Sequence, residues 1–133
     1  MEKIHVEGDP KLKNNLGKQY SMFIGRWQPL HEGHQYIFQQ RLNKGKNVLI
    51  CIRDIEPDEK NPYKAEEVEL MITEHYKEEI KLGRVKVLII PDIESVNFGR
   101  GVGYDIIEHV VPDDIKNISA TKIRENLKEK GEL

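Results

Sequence analysis

Short apolar runs recur along the chain and are the first sign of its architecture. They cover 19–25, 47–52 and 84–90, and near-continuous apolar runs of this length are typical of parallel strands that are covered on both faces. In 104–111, apolar side chains occur on both alternating faces, so a strand and a short helix both stay open, and a strand is favoured. The pattern therefore predicts three strands and favours a fourth after them.

The stretches between these runs have the spacing of amphipathic helices. The stretch 33–42 predicts a first helix with a C-cap at Gly45, and apolar residues at three- and four-residue steps from Ala65 predict a second helix that ends at Gly83. Ser119 suits the N-cap of a last helix. Strands that alternate with helices predict an α/β fold with a mostly parallel central sheet, in which ligands bind beyond the carboxyl ends of the strands.

Length and charge limit the classes of protein to which the chain can belong. Its 133 residues, with a mass of 15.5 kDa, have room for a single core. We expect residues 1–18 to form a polar leader or extension and residues 19–133 to form one domain. The net charge of −2, from 21 basic and 23 acidic residues, gives no overall basic field, which argues against a nucleic-acid partner.

The distribution of cysteine and apolar residues bears on the compartment. Cys51 is the single cysteine, so an internal disulfide is ruled out, and no apolar stretch approaches the ~20 residues that span a bilayer. Residues 1–8 lack the apolar stretch of a signal peptide. We therefore expect a cytoplasmic protein with no membrane partner.

The most informative chemistry follows the first predicted strand, where His31 and His34 stand three residues apart. Two imidazoles at this spacing can open a helix so that both rings and several free backbone N–H groups face one anion. Near the other end of the chain, Ser119 and Thr121 stand at the start of the last predicted helix, which carries Arg124 one turn further along. In a parallel sheet both segments fall at the carboxyl edge, so the sequence predicts a triphosphate site there.

Simpler interpretations exist for several of these residues. A His-x-x-His pair is also half of a zinc site, although the other ligands would have to come from scattered residues, and ordinary surface histidines are a further alternative. Ser119 and Thr121 also suit plain helix capping. His75 lies on the second predicted helix and His109 in the unassigned segment, so we interpret both as structural.

The segments 31–34 and 118–124 resemble the HxGH and ISxTxxR signatures of the cytidylyltransferase-like nucleotidyltransferases. The resemblance extends over about 20–127. Within it, 25–30 is closest to the Gly-Arg-Phe-Gln-Pro-Phe form of the archaeal-type nicotinamide mononucleotide adenylyltransferases, from which Trp27 and Leu30 depart conservatively. The resemblance implies a Rossmann-like three-layer fold and an enzyme that transfers a nucleotidyl group to a phosphate.

The same resemblance implies which residues act. In this family the two histidines contact the triphosphate and stabilise the charge that builds on the α-phosphoryl oxygens. By this resemblance, the catalytic residues are His31, His34 and Arg124. The implied nucleotide-binding residues are Gly25, Arg26, Gln28, Gly33, Ser119 and Thr121, and the residues assigned to the acceptor are Asn61 and Arg100.

The reaction type implies Mg²⁺ held largely by the phosphates, since the sequence has no clear metal-binding carboxylate cluster. The implied partners are a nucleoside triphosphate, ATP or CTP, a small phosphorylated acceptor, and further copies of the chain in a homo-oligomer. AMP transfer is favoured by 25–30 and 61–63. A cytidylyltransferase acting on a glycerol phosphate or phosphocholine type of acceptor, an ATP sulfurylase-like enzyme and a non-catalytic nucleotide-binding module stay open as alternatives.

Overall fold

The computed structural model describes residues 17–101, 103–116 and 120–129; the predicted leader lies outside them except for its last two positions. Three strands form one sheet in the order β1-β2-β3, and both neighbouring pairs are parallel. The α/β class and the parallel sheet are therefore confirmed. The strands are β1 (Tyr20–Gly25), β2 (Asn47–Asp54) and β3 (Val85–Pro91).

Helices connect the strands and follow the last of them. The second predicted helix is divided at Tyr76, which leaves helical geometry with φ −105° and is buried in the core. A short helix after Pro112 was not predicted, although two acidic residues in its first turn were an available signal. No helix in the described part of the chain has the length and apolar character needed to cross a membrane. The helices are α1 (Glu32–Asn43), α2 (Ala65–His75), α3 (Lys77–Lys81), α4 (Asp113–Lys116) and α5 (Ala120–Glu129).

The core lies between one face of the sheet and the helices α1 and α2. Val48, Ile50 and Ile52 are all fully buried, and since successive strand residues point to opposite faces, these three share one face of β2. Phe38 of α1 and Ile72 of α2 are also fully buried and belong to the same apolar cluster. This packing fixes the beginning of α1 at the carboxyl edge of the sheet.

The turn from α1 to β2 requires a glycine. Gly45 has φ +73°, a left-handed conformation that favours glycine, and its N–H donates to the carbonyl of Leu42. The guanidinium of Arg84 donates to the carbonyls of Leu42 and Lys46 and so satisfies further groups at the end of the helix. The helix ends at Asn43 with Lys44 as its C-cap, so the predicted turn at Gly45 is present and the cap lies one residue earlier than predicted.

The strand favoured at 104–111 is wrong, because the structure gives this segment neither a strand nor a helix. Its apolar side chains stay largely exposed, Ile106 by 69% and Val110 by 81%, while the ring of His109 lies 5.6 Å from the ring of Phe23. A strand needs a hydrogen-bonded neighbour and one face to bury. Apolar residues on both alternating faces give this segment no preferred face, which is why the pattern was misleading.

Candidate functional site

The carboxyl ends of the three strands lie together at one edge of the sheet. Gly25 pairs with Ile52, and Ile52 pairs with Ile89, so the loops that follow the strands begin side by side. Near the end of β2, Arg53 Nε donates at 2.8 Å to Oδ1 of Asp92, the first residue after β3. The edge therefore brings together segments that are far apart in the chain.

His31 and His34 build the N-terminal end of α1 at this edge. His31 is the N-cap, and its Nδ1 accepts a hydrogen bond from the Gly33 N–H at 3.0 Å. His34 Nδ1 accepts from the His31 N–H at 3.3 Å, and the two imidazoles stack with centroids 3.7 Å apart. This reciprocal arrangement is a capping box made of two histidines.

The capping bonds determine where each imidazole carries its proton. A backbone N–H can only donate, so the Nδ1 of His31 and the Nδ1 of His34 each present a lone pair, and a neutral ring then carries its proton on Nε2. Each Nε2–H is the group left to meet a ligand. The N–H groups of His31 and Gly33 are already used in the cap, so any free backbone N–H groups that face an anion are others of this helix end.

Burial makes both imidazoles neutral at pH 7. It lowers the pKa of His31, and it lowers the pKa of His34 to about 3, with a further contribution from the charge of His31. The pair can therefore donate hydrogen bonds to phosphate oxygens without a net positive charge. The partial positive charge of the helix N-terminus adds to this, but a full charge has to come from another side chain.

Arg124 reaches the loop between β1 and α1 from the far end of the chain. Its Nη1 donates to the carbonyl of Gln28, and the residue is only 7% exposed. Because Gln28 precedes His31 by three positions, the guanidinium is bonded to the loop that leads into the histidine pair. Of the two predicted hydroxyl residues, Ser119 lies outside the described residues, and Thr121 is described as part of the first turn of α5.

The side chain of Gln28 joins two loops of the edge. Its Nε2 donates to the carbonyl of Tyr63 at 2.9 Å, and its Oε1 accepts from the N–H of Tyr63 at 3.0 Å. Gln28 is 4% exposed, and the peptide bond to Pro29 is cis. Gln28 thus holds the loop after β2 against the loop between β1 and α1, which we call the histidine loop. A contact between Gln28 and the nucleotide stays a prediction.

Asp58 lies in the loop after β2, close to Asn61 of the same loop and to Arg26, which directly follows β1. The backbone N–H and Nδ2 of Asn61 donate to Asp58 Oδ1 at 2.7 Å and 3.2 Å. The hydrogen bond from the Asn61 backbone is the main cause that lowers the pKa of the Asp58 carboxyl, and the charge of Arg26 also lowers it. Arg26 is exposed, as is Arg100 in the loop after β3. The substrate contacts assigned to Asn61, Arg26 and Arg100 stay predictions.

Trp27 is a further part of the site, and its sequence position suits either a core residue or a residue that stacks on a base. Its indole ring lies 4.8 Å from the ring of His34 and almost perpendicular to it. A Cβ atom on Gly25 would lie 2.9 Å from two carbons of this indole, so Gly25 leaves room for the ring. The available signal was the place of Trp27 inside the motif-like segment 25–30.

The parallel sheet and the helix that begins at its carboxyl edge are consistent with a Rossmann-like protein. No family model matches the chain. Over 62 residues, or 45% of the chain, it is 37% identical to the nicotinamide/nicotinic acid mononucleotide adenylyltransferase of Acinetobacter baylyi. The chain covers 33% of that protein's length. This partial match supports a relationship to the nucleotidyltransferases.

The lowered pKa of His34 predicts a loss of stability in acid. The unfolded chain takes up a proton on this imidazole near the ordinary pKa of 6.5, whereas the folded chain takes it up only near pH 3. The contribution of His34 to stability is therefore complete above its unfolded pKa and is lost as the pH falls from 6.5 toward 3. It changes by at most about 1.4 kcal/mol per pH unit. Urea unfolding between about pH 7 and about pH 5 measures the effect.

The matched comparison uses His34→Gln and His75→Gln. We expect the urea midpoint of His34→Gln to depend less on pH than that of the wild type, because the glutamine cannot take up the proton. His75 is exposed at the end of α2, so His75→Gln should keep the wild-type dependence. An equal decline in His34→Gln and in the wild type would show that His34 is not the group responsible.

Proposed function

We propose that this protein is a nucleotidyltransferase that transfers AMP from ATP to a small phosphorylated acceptor and releases pyrophosphate. The observation that carries this proposal is the histidine pair at the start of α1, with Arg124 bonded to the loop that leads into it. The 62-residue similarity to an adenylyltransferase supports the same class of reaction.

The proposed reaction makes one P–O bond and breaks another. An oxygen of the acceptor phosphate attacks the α-phosphorus of the nucleotide in line, and the bond to the bridging oxygen of pyrophosphate breaks. Both reactants are anions, so the rate depends on how well the protein orients them and stabilises their charge. This chemistry requires no covalent enzyme intermediate and no strong base.

His31, His34 and Arg124 have complementary parts in this proposal. The neutral imidazoles donate their Nε2–H groups to the α-phosphoryl oxygens, where charge develops, and keep their protons throughout. Arg124 supplies the full positive charge, and its planar guanidinium suits phosphate oxygens. The N-terminus of α1 adds a smaller attraction for the same anion.

Mg²⁺ would shield the phosphate charges in a reaction of this type. Within the ranges that the structure describes, no three His, Cys, Asp or Glu side chains are grouped so that they could hold a metal ion. These residues therefore do not build a metal cage by themselves, and none of the steps above depends on one.

We place the acceptor beside the loop after β2. Gln28 binds the backbone of Tyr63 in this loop from the histidine side, so an acceptor held there would lie next to the nucleotide. Asn61 is buried in the same loop and fixes its turn through Asp58. Because Gln28 joins the two loops directly, we propose a small acceptor at this place.

A nucleotide and acceptor screen tests the proposed function. ATP and CTP are each offered with nicotinamide mononucleotide, nicotinic acid mononucleotide, glycerol phosphate and phosphocholine, and released pyrophosphate is measured. We expect release from ATP with one of the two mononucleotides. Release from CTP with an alcohol phosphate would replace the proposal with a cytidylyltransferase, and nucleotide binding without turnover across the panel would favour a binding module.

A further inference from the structure

The indole of Trp27 is held firmly against the ring of His34. The two ring centroids are 4.8 Å apart, and the planes meet at 86°. Trp27 Nε1 donates to the carbonyl of Cys51 at 3.0 Å, and the ring of Phe38 lies 5.1 Å away on the core side. Trp27 is 6% exposed. The indole therefore has a fixed place between β2, the core and the histidine pair.

The local backbone is adapted to this place. Trp27 has φ +51°, a left-handed conformation that is rare for a bulky residue. Gly25 lies against the indole, where a Cβ would come within 2.9 Å of Cε2 and Cζ2. Trp27 belongs with Phe38 to the apolar core, and its left-handed backbone places the indole where that core meets the ring of His34.

His34 is enclosed by two rings that differ in direction. His31 stacks on it with planes 23° apart, and the indole of Trp27 meets it nearly at a right angle. A rotation of the imidazole would break the hydrogen bond from the His31 N–H to Nδ1 and drive the ring toward one of these neighbours. The enclosure thus fixes the direction of Nε2–H.

We propose that Trp27 is a positioning residue for His34: its indole holds the imidazole in the orientation that presents Nε2–H to the triphosphate. The catalytic consequence rests on the proposed function. The orientation of His34 does not, because it is a property of the protein without substrate. Burial lowers the pKa of His34, and the indole is one of the groups packed against this imidazole, so a titration gives a readout independent of turnover.

The experiment compares Trp27→Leu with Trp27→Phe and Ile72→Ala. Nuclear magnetic resonance follows the ring nitrogens of His34 during a pH titration, and pyrophosphate release gives kcat and KM. Among the residues that the structure describes, His31 at the N-cap of α1 is the group whose charge acts on His34, and Arg124 of α5 bonds to the loop that precedes the pair; all variants retain both. Ile72→Ala is the matched control, since Ile72 is fully buried in the core on α2 and its loss keeps every ring around His34.

In Trp27→Leu we expect the pKa of His34 to rise toward its ordinary value and kcat to fall about 10-fold to 100-fold with little change in KM. Trp27→Phe keeps an aromatic ring and should restore most of both. Ile72→Ala should lose stability but keep the wild-type titration of His34 and the wild-type kcat. The positioning role is overturned if Trp27→Leu keeps the wild-type titration, or if Ile72→Ala reproduces its effects.

A second pair of variants moves the indole without removing it. Gly25→Ala places a methyl group against the indole, whereas Gly99→Ala has no heavy atom within 4 Å of the new Cβ. We expect the first to raise the pKa of His34 and the second to leave it unchanged; equal titrations would overturn the proposal. If the wild type released no pyrophosphate from any nucleotide, the proposed function would fail, and the titrations would still decide the role of Trp27.

Discussion

Replacing His34 by alanine is expected to lower kcat/KM for pyrophosphate release by about 10²-fold or more, the loss typical of one preorganised donor at a developing oxyanion. The variant loses the Nε2–H donor and also the acceptor for the His31 N–H. The measurement uses ATP and the acceptor identified by the screen, with saturating metal. Circular dichroism confirms that the variant is folded.

His34→Gln separates the catalytic loss from the structural one. A glutamine at the third position of a helix can reach back to the N-cap N–H, as in an ordinary capping box. We therefore expect His34→Gln to keep the helix end but to be about as inactive as His34→Ala. His75→Ala, at the exposed end of α2, controls for loss of any histidine and should be fully active. Full activity in His34→Gln would contradict the role assigned to the imidazole.

The histidine pair could be predicted from the sequence because its geometry is local. His31 and His34 are one helical turn apart, so their spacing alone places both rings at the same helix end. The contact from Arg124 to Gln28 spans 96 positions, and it could be predicted only through topology. Parallel strands bring all their carboxyl ends to one edge, and the loops after them follow.

Other properties of the site depend on packing that no local pattern contains. The neutrality of His34 comes from burial, and the indole of Trp27 that encloses it is held by Cys51, a residue of β2. The side chain of Gln28 hydrogen-bonds to the backbone of Tyr63, which lies in a different loop. The strand predicted at 104–111 is wrong for a different reason. Apolar residues occupy both alternating faces of this segment, and the fold buries neither face.

Replacing Arg124 by glutamine is the second large effect that we expect, about 10²-fold in kcat/KM for pyrophosphate release. The reason is electrostatic. His31 and His34 are neutral at pH 7, so the guanidinium that is bonded to the Gln28 carbonyl brings the positive charge to their loop. Glutamine keeps N–H donors but removes the charge. Arg124→Lys restores the charge without the planar fork and should recover part of the loss.

The control for Arg124→Gln is Lys128→Gln, which removes a positive charge from an exposed residue one turn further along α5. Because Lys128 is exposed, water and salt screen its charge, and kcat/KM should stay near the wild-type value. Equal losses of kcat/KM in Arg124→Gln and Lys128→Gln would mean that the total charge of α5 matters and the position of each charge does not. A wild-type rate in Arg124→Gln would require another cation to neutralise the phosphates, and the contact between α5 and the histidine loop would then be structural.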